Sequence, residues 1–162
     1  MASRRHPQTR ACLVLDSARV AYVPYVYDHS PRAGSFGREA AARIGGEAGR
    51  IAKTLIVRCG EEFVCAVVPV TGELSLKELA ASVGAKNAVM ADPHDAQRLT
   101  GYVVGGISPV GQARQLRTVI DETLLDHDEV VVSGGRRGFS VGLSPIDLVR
   151  LTSAVVAPIG SR

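Results

Sequence analysis

Hydrophobic and polar positions alternate most clearly in RIAKTLIVR, Arg50 to Arg58, where Ile51, Lys53, Leu55 and Val57 fall on one face of an extended chain. Ala52, Thr54 and Ile56 fall on the other. EEFVCAVVPV, following a turn at Gly60, is almost continuously apolar and predicts a strand buried on both faces. VAYVPYVYD alternates as well, but Pro24 cannot donate to a ladder and places this strand at an edge or bulge. Helical spacing appears from Thr9 to Ala18 through Cys12, Leu13 and Leu15, and again in FGREAAARIGG, which Ser35 caps after the turn HSPRAGS and Gly45 and Gly46 close. Ser75 caps LSLKELAASVGA, which ends at Gly84, and Asp92 caps a shorter helix through His94 and Arg98. The C-terminal part predicts strands around Thr118 to Asp121, in VVVSGG and in FSVGL, a turn at GGRRG, and a last helix from Ser144.

Strands and helices are interspersed without a regular βαβ rhythm. The pattern therefore predicts an α+β domain with a mixed, strongly curved or barrel-like β-sheet surrounded by helices. A chain of 162 residues, 46% hydrophobic, suits one such domain over 9–162 behind a loose basic tail, 1–8. The start of the chain fits neither a signal peptide nor a membrane span, and the cytoplasm is the expected compartment. With 19 Lys+Arg against 16 Asp+Glu, the net charge of +3 favours a local phosphate contact without demonstrating a nucleic-acid partner.

Several chemistries can be set aside. A phosphate loop ending at Lys53-Thr54 requires glycine where the chain has Glu47 and Ala52. The GGEAG segment lacks the spacing of a dinucleotide fingerprint. His6, His29, His94 and His127 are scattered, and Cys12, Cys59 and Cys65 match no metal-ligand spacing, so neither metal nor cofactor is expected. The thiols read as buried and unreactive. Ser133 lacks the G-x-S-x-G surroundings of an activated nucleophile.

Two features call for explanation. An unpaired lysine on a buried strand face costs several kcal/mol, on the order of the desolvation of one ion, so either the Lys53 head reaches water or a strongly polar partner waits for it. The run GYVVGGISPVGQ fits no regular element: its glycines let a backbone approach a ligand closely and its N–H groups are suited to a carbonyl or oxyanion, the plain alternative being a tight structural turn. A cationic head beside a donor-rich loop makes one polar patch in an apolar pocket.

FGREAAARIG, AKTLIV, SLKELAASVGAK, MADPHDAQRLTGYVVGGISPVGQ and VSGGRRG, in this order and spacing, closely resemble the YbaK/EbsC family of aminoacyl-tRNA deacylases. The likeness runs from about Tyr22 to Leu151, and the MADPHDAQRLTGYVVGGISP run is especially similar to the branch acting on Cys-tRNA(Pro). The resemblance implies a barrel-like fold related to the editing domain of bacterial prolyl-tRNA synthetases. It also implies a trans-editing enzyme that removes cysteine from tRNA(Pro), in which the cysteinyl thiolate attacks its own ester: formally a lyase if a thiolactone forms, otherwise a hydrolase. It implies mischarged tRNA as partner, with prolyl-tRNA synthetase as a second one in a ternary complex.

By the same resemblance Lys53 matches the essential lysine, and Gly105, Gly106, Ile107, Ser108 and Pro109 match the loop that holds the substrate carbonyl. Tyr27, Phe36, Thr54 and Ser133 match pocket positions. Relatives often carry an acidic residue where this chain has Ser140, which weakens the hold on the amino group and keeps alanine or another small aminoacyl group in play. A non-catalytic tRNA- or synthetase-binding module is the alternative of another class.

Overall fold

The computed structural model describes residues 6–30 and 34–161. The expected tail 1–8 therefore lies partly outside the described residues, as does the centre of the HSPRAGS turn. Of the remaining tail, His6 stacks on Phe139 with ring centroids 5.4 Å apart.

Among the described residues five α-helices start where side-chain oxygens satisfy otherwise unpaired N–H groups. Thr9 accepts from Cys12 at the head of α1 (Arg10–Ser17), and Ser35 accepts from Arg38 at the head of α2 (Phe36–Ile44). Ser75, Asp92 and Ser144 do the same for α3 (Leu76–Ser82), α4 (Pro93–Thr100) and α5 (Pro145–Thr152). Among the described residues no helix is long and apolar enough to cross a membrane.

The strands form two sheets. In the smaller, the order is β1 (Val23–Val26), β7 (Phe139–Leu143), β6 (Val130–Arg136), all antiparallel, with Pro24 on the edge strand. In the larger, the order is β4 (Ala88–Met90), β2 (Ala52–Cys59), β3 (Glu62–Pro69), β5 (Arg117–Asp121), β8 (Val155–Ala157). The β4, β2 and β3 neighbours are antiparallel and β5 and β8 add in parallel, so the larger sheet is mixed. Strands β4 and β8 are too short and too exposed to show in the hydrophobic pattern.

The α+β class is as expected, but the sheet does not close into a barrel. Among the described residues a single bridge, Ile51 to Val131, joins the two sheets. Ala40, Ala41 and Ile44 of α2 pack over that junction with Ile51 and Val131, so a helix seals the seam that further strand pairing would have closed. Strand β3 confirms its two-faced burial: Cys65 and Val67 enter the core between the sheets with Leu15, Ile120 and Phe139, while Val64, Ala66 and Val68 pack beneath Leu79 of α3.

Candidate functional site

The cavity that follows from this architecture opens beside the seam. Strand β4 pairs with β2 only along Val57 to Cys59 and β6 meets it by the bridge at Ile51, so the stretch between them has no strand on that side. The Ile51 carbonyl accepts from Val70, just past the end of β3, whereas the Ile56 carbonyl accepts from Ala91 on the opposite side. By strand alternation the main-chain groups of Ala52 and Thr54 turn the same way as those of Ile56, those of Ala52 beside the bridge to Val131 and those of Thr54 towards the open edge. A cavity of about 400 Å³ occupies that space, walled by β2, the start of α2, α4, the loop around Gly105, and β6 and β7.

Lys53 and Thr54 project to opposite faces of β2, and the cavity curves round the open edge to touch both. The Lys53 side chain is 27% exposed and its Nζ lies 3.7 Å from the Glu73 carboxylate. Both answers to the lysine question are thus partly realised: the head reaches solvent and has an anionic neighbour. Thr54 is the more unusual residue. Its Oγ1 is the one buried side-chain polar atom without a partner among the described residues. Leaving such a group unpaired costs about 1–3 kcal/mol, a strain that a ligand with a hydrogen-bonding group would relieve.

Tyr27, Ser133 and Ser140 line the same cavity, as do Phe36 and Phe139. Burial pushes the Tyr27 phenol above its ordinary range, the Ser140 hydroxyl works against that shift, and the Glu39 charge adds to it. Tyr27 is therefore a neutral hydrogen-bonding group throughout the physiological range. Glu39 is itself buried; its carboxylate meets His29 Nδ1 at 2.7 Å and accepts the Ser30 N–H at 2.8 Å. Those two hydrogen bonds hold the carboxyl below the usual range against the opposing effect of burial. The Glu39 side chain thereby ties the segment before α2 to the helix that carries Phe36.

The glycine-rich loop divides into two parts. Gly105, at φ +88°, and Ile107 line the cavity. Gly106, Ser108 and Pro109 lie behind it. A Cβ at Gly105 would stand 2.5 Å from the Phe36 ring, and one at Gly106 would stand 2.9 Å from the backbone of Arg136 and Arg137. The two glycines thus serve tight packing of the loop between α2 and the β6–β7 turn, the structural role weighed above, as well as access to a ligand. The Gly106 N–H is also engaged, donating to the Val103 carbonyl at 2.8 Å. Ser108 is fully buried; its Oγ accepts the Val110 N–H and its carbonyl accepts from the Gln112 amide. Tyr102, whose phenol burial pushes up to about 12, donates to the Val110 carbonyl at 2.7 Å and pins the loop from below.

None of the three cysteines lines the cavity, and all three are buried and free. Burial pushes the Cys65 thiol up to about 12, so it stays protonated. Among the described residues no group of His, Cys, Asp and Glu side chains could hold a metal ion. Sequence reasoning did not single out Ala40, Met90, Pro93, Ala96, Val104 or Phe139, which supply apolar wall. Their only signal was hydrophobicity, shared with the whole core.

An aminoacyl-tRNA editing domain model matches residues 31–151. Across 100% of this chain and 99% of its own length, a candidate Cys-tRNA(Pro)/Cys-tRNA(Cys) deacylase of Enterococcus faecalis, EbsC, is 34% identical. The multifunctional Ser/Thr-tRNA deacylase ProXp-y of Escherichia coli is 31% identical over 70% of this chain and 71% of its own. Among solved structures, a candidate trans-editing enzyme for prolyl-tRNA synthetase superposes with a TM-score of 0.81 at 29% identity, covering 94% of this chain and 96% of that one.

Proposed function

Since the chain belongs to the aminoacyl-tRNA editing domain family, we propose that it is a trans-editing deacylase that removes cysteine from mischarged Cys-tRNA(Pro) in the cytoplasm. The observation that carries this reading is a cavity that offers hydroxyls but no thiol, and no histidine or carboxylate among its described lining residues to activate a hydroxyl. Lys53, Thr54, Tyr27, Ser133 and Ser140 bring an ammonium and four hydroxyls to one space, while every thiol of the protein lies elsewhere. Such a site orients and stabilises charge without attacking the substrate itself.

The cysteinyl thiolate then serves as the nucleophile. It attacks its own ester carbonyl; the new S–C bond closes a thiolactone, the C–O bond to the ribose breaks, and the tRNA leaves with the electron pair and takes a proton. Lys53 anchors the terminal adenosine and its phosphate, and the N–H groups of Gly105 and Ile107, the loop residues at the wall, receive the carbonyl oxygen. Prolyl-tRNA synthetase supplies the tRNA selectivity that a charge of +3 does not, in a ternary complex.

A second reading, hydrolysis of another small aminoacyl ester such as alanyl- or seryl-tRNA by water, draws support from Ser140, which offers a hydroxyl where a carboxylate would hold the amino group more firmly. The purified protein is to be incubated with a panel of mischarged tRNAs and scored for amino-acid release. Fast release from Cys-tRNA(Pro) with far slower release from Ser-tRNA(Pro) is expected. Equal rates point to an attacking water, and no release from any member leaves only a binding module.

A further inference from the structure

Arg137 is exposed on the β6–β7 turn, yet it is fixed on two sides. Its Nε donates to the Val104 carbonyl at 2.8 Å, and its guanidinium carbon sits 5.1 Å from the centroid of the Phe36 ring. His29 stacks on the same ring, with centroids 5.4 Å apart and planes inclined by 26°, and Glu39 holds that imidazole at 2.7 Å. Phe36 itself is still 38% exposed. A surface arginine ordinarily samples many rotamers, and ordering one costs entropy. Here the guanidinium is held at the rim of the cavity, since Phe36 and Val104 belong to the cavity wall as well.

We infer that the Arg137–Phe36–His29 stack is a second binding subsite, a platform for the first nucleobase that stays outside the cavity, that of the penultimate nucleotide of the tRNA. The inference rests on the reading of the cavity as the seat of the aminoacylated terminal adenosine. A planar cation layered on aromatic rings offers a π-face that any base can cover, so the platform receives the single-stranded end of any tRNA and does not distinguish among tRNAs. Lysine would give the same charge without the plane or the fork that Val104 and Phe36 hold.

The test uses an uncharged RNA hairpin ending in an unpaired 3′ CCA, fluorescently labelled, and the same hairpin with an abasic penultimate nucleotide. Both are titrated against the wild type, Arg137→Ala and Arg137→Lys by anisotropy. Removing the base is expected to weaken wild-type binding about tenfold, the range of one base-aromatic stack. Arg137→Ala weakens binding of the intact hairpin by a similar factor and leaves the abasic hairpin unchanged; Arg137→Lys behaves like Arg137→Ala. Penalties that simply multiply, an Arg137→Lys variant that binds like the wild type, or an intact hairpin that is not bound at all would each overturn the platform. Because the RNA carries no amino acid, binding as expected without release of any amino acid from mischarged tRNAs would refute the deacylase and leave the platform standing.

Discussion

Lys53 and Glu73 face each other at 3.7 Å, the ammonium half-buried and the carboxylate almost fully in water. A pair so exposed on one side contributes little to folding, within about 0.5 kcal/mol. Glu73 instead competes with any phosphate that approaches Lys53. Glu73→Gln is therefore expected to leave the unfolding free energy unchanged and to lower KM for aminoacyl-tRNA about twofold, the equivalent of a weak surface pair. Lys53→Ala should reduce deacylation about a hundredfold or more while the protein remains folded. Steady-state kinetics and urea unfolding of the two variants check both statements.

Thr54 predicts a trade between stability and activity. Its buried Oγ1 lacks a partner, and valine keeps the shape of the side chain without the polar atom. Thr54→Val should raise the unfolding free energy by up to about 1 kcal/mol and lower kcat/KM about tenfold. An equally active Thr54→Val protein would show that the hydroxyl has no ligand to meet.

Glu39 sets an acid limit on the segment before α2. Its folded pKa lies below the ordinary 4.5, so its contribution to stability is complete above that value and is lost as the pH falls through the lower, folded one. At pH 7 Glu39→Gln is expected to cost about 1–2 kcal/mol, from weaker bonds to His29 and Ser30. Wild type and variant should converge as the pH falls through the lowered folded pKa of Glu39. Urea unfolding across pH 7 to 3 reads the gap directly.

The cysteines predict a negative result with content. Burial raises the thiols of Cys59 and Cys65, the latter to about 12, and no thiol reaches the cavity. Iodoacetamide at pH 8 should leave deacylation of the folded protein intact. Loss of activity in step with alkylation would mean that a cysteine of the enzyme takes part.

Much of this architecture was legible because local chemistry determined it. Ser35, Ser75, Asp92 and Ser144 each announced a helix start through a hydroxyl or carboxylate placed before an apolar period, and each caps there. Lys53 stood out because it broke an alternation. The open seam between the sheets did not, since a barrel and two sheets bridged once at Ile51 and Val131 share one hydrophobic pattern. Glu73 looked like any polar loop residue, and its relation to Lys53 arises only when β3 turns back beside β2. Arg137, Phe36 and Val104 lie far apart in sequence and meet through tertiary contacts alone. Gly105 and Gly106 were marked as unusual, but the Phe36 ring and the Arg136–Arg137 backbone that demand them were not visible.

The half-paired edge of β2 has a consequence for how this cavity can change. Where Thr54 turns its peptide groups to the open edge, the wall is main chain, and a substitution there other than proline alters a side chain but leaves the backbone donor and acceptor in place. The side chains that can vary around it are Lys53 and Thr54 on β2 itself and Tyr27, Ser133 and Ser140 on the facing wall. A cavity lined partly by main chain and partly by side chains can change its chemistry through a few substitutions while its backbone edge persists.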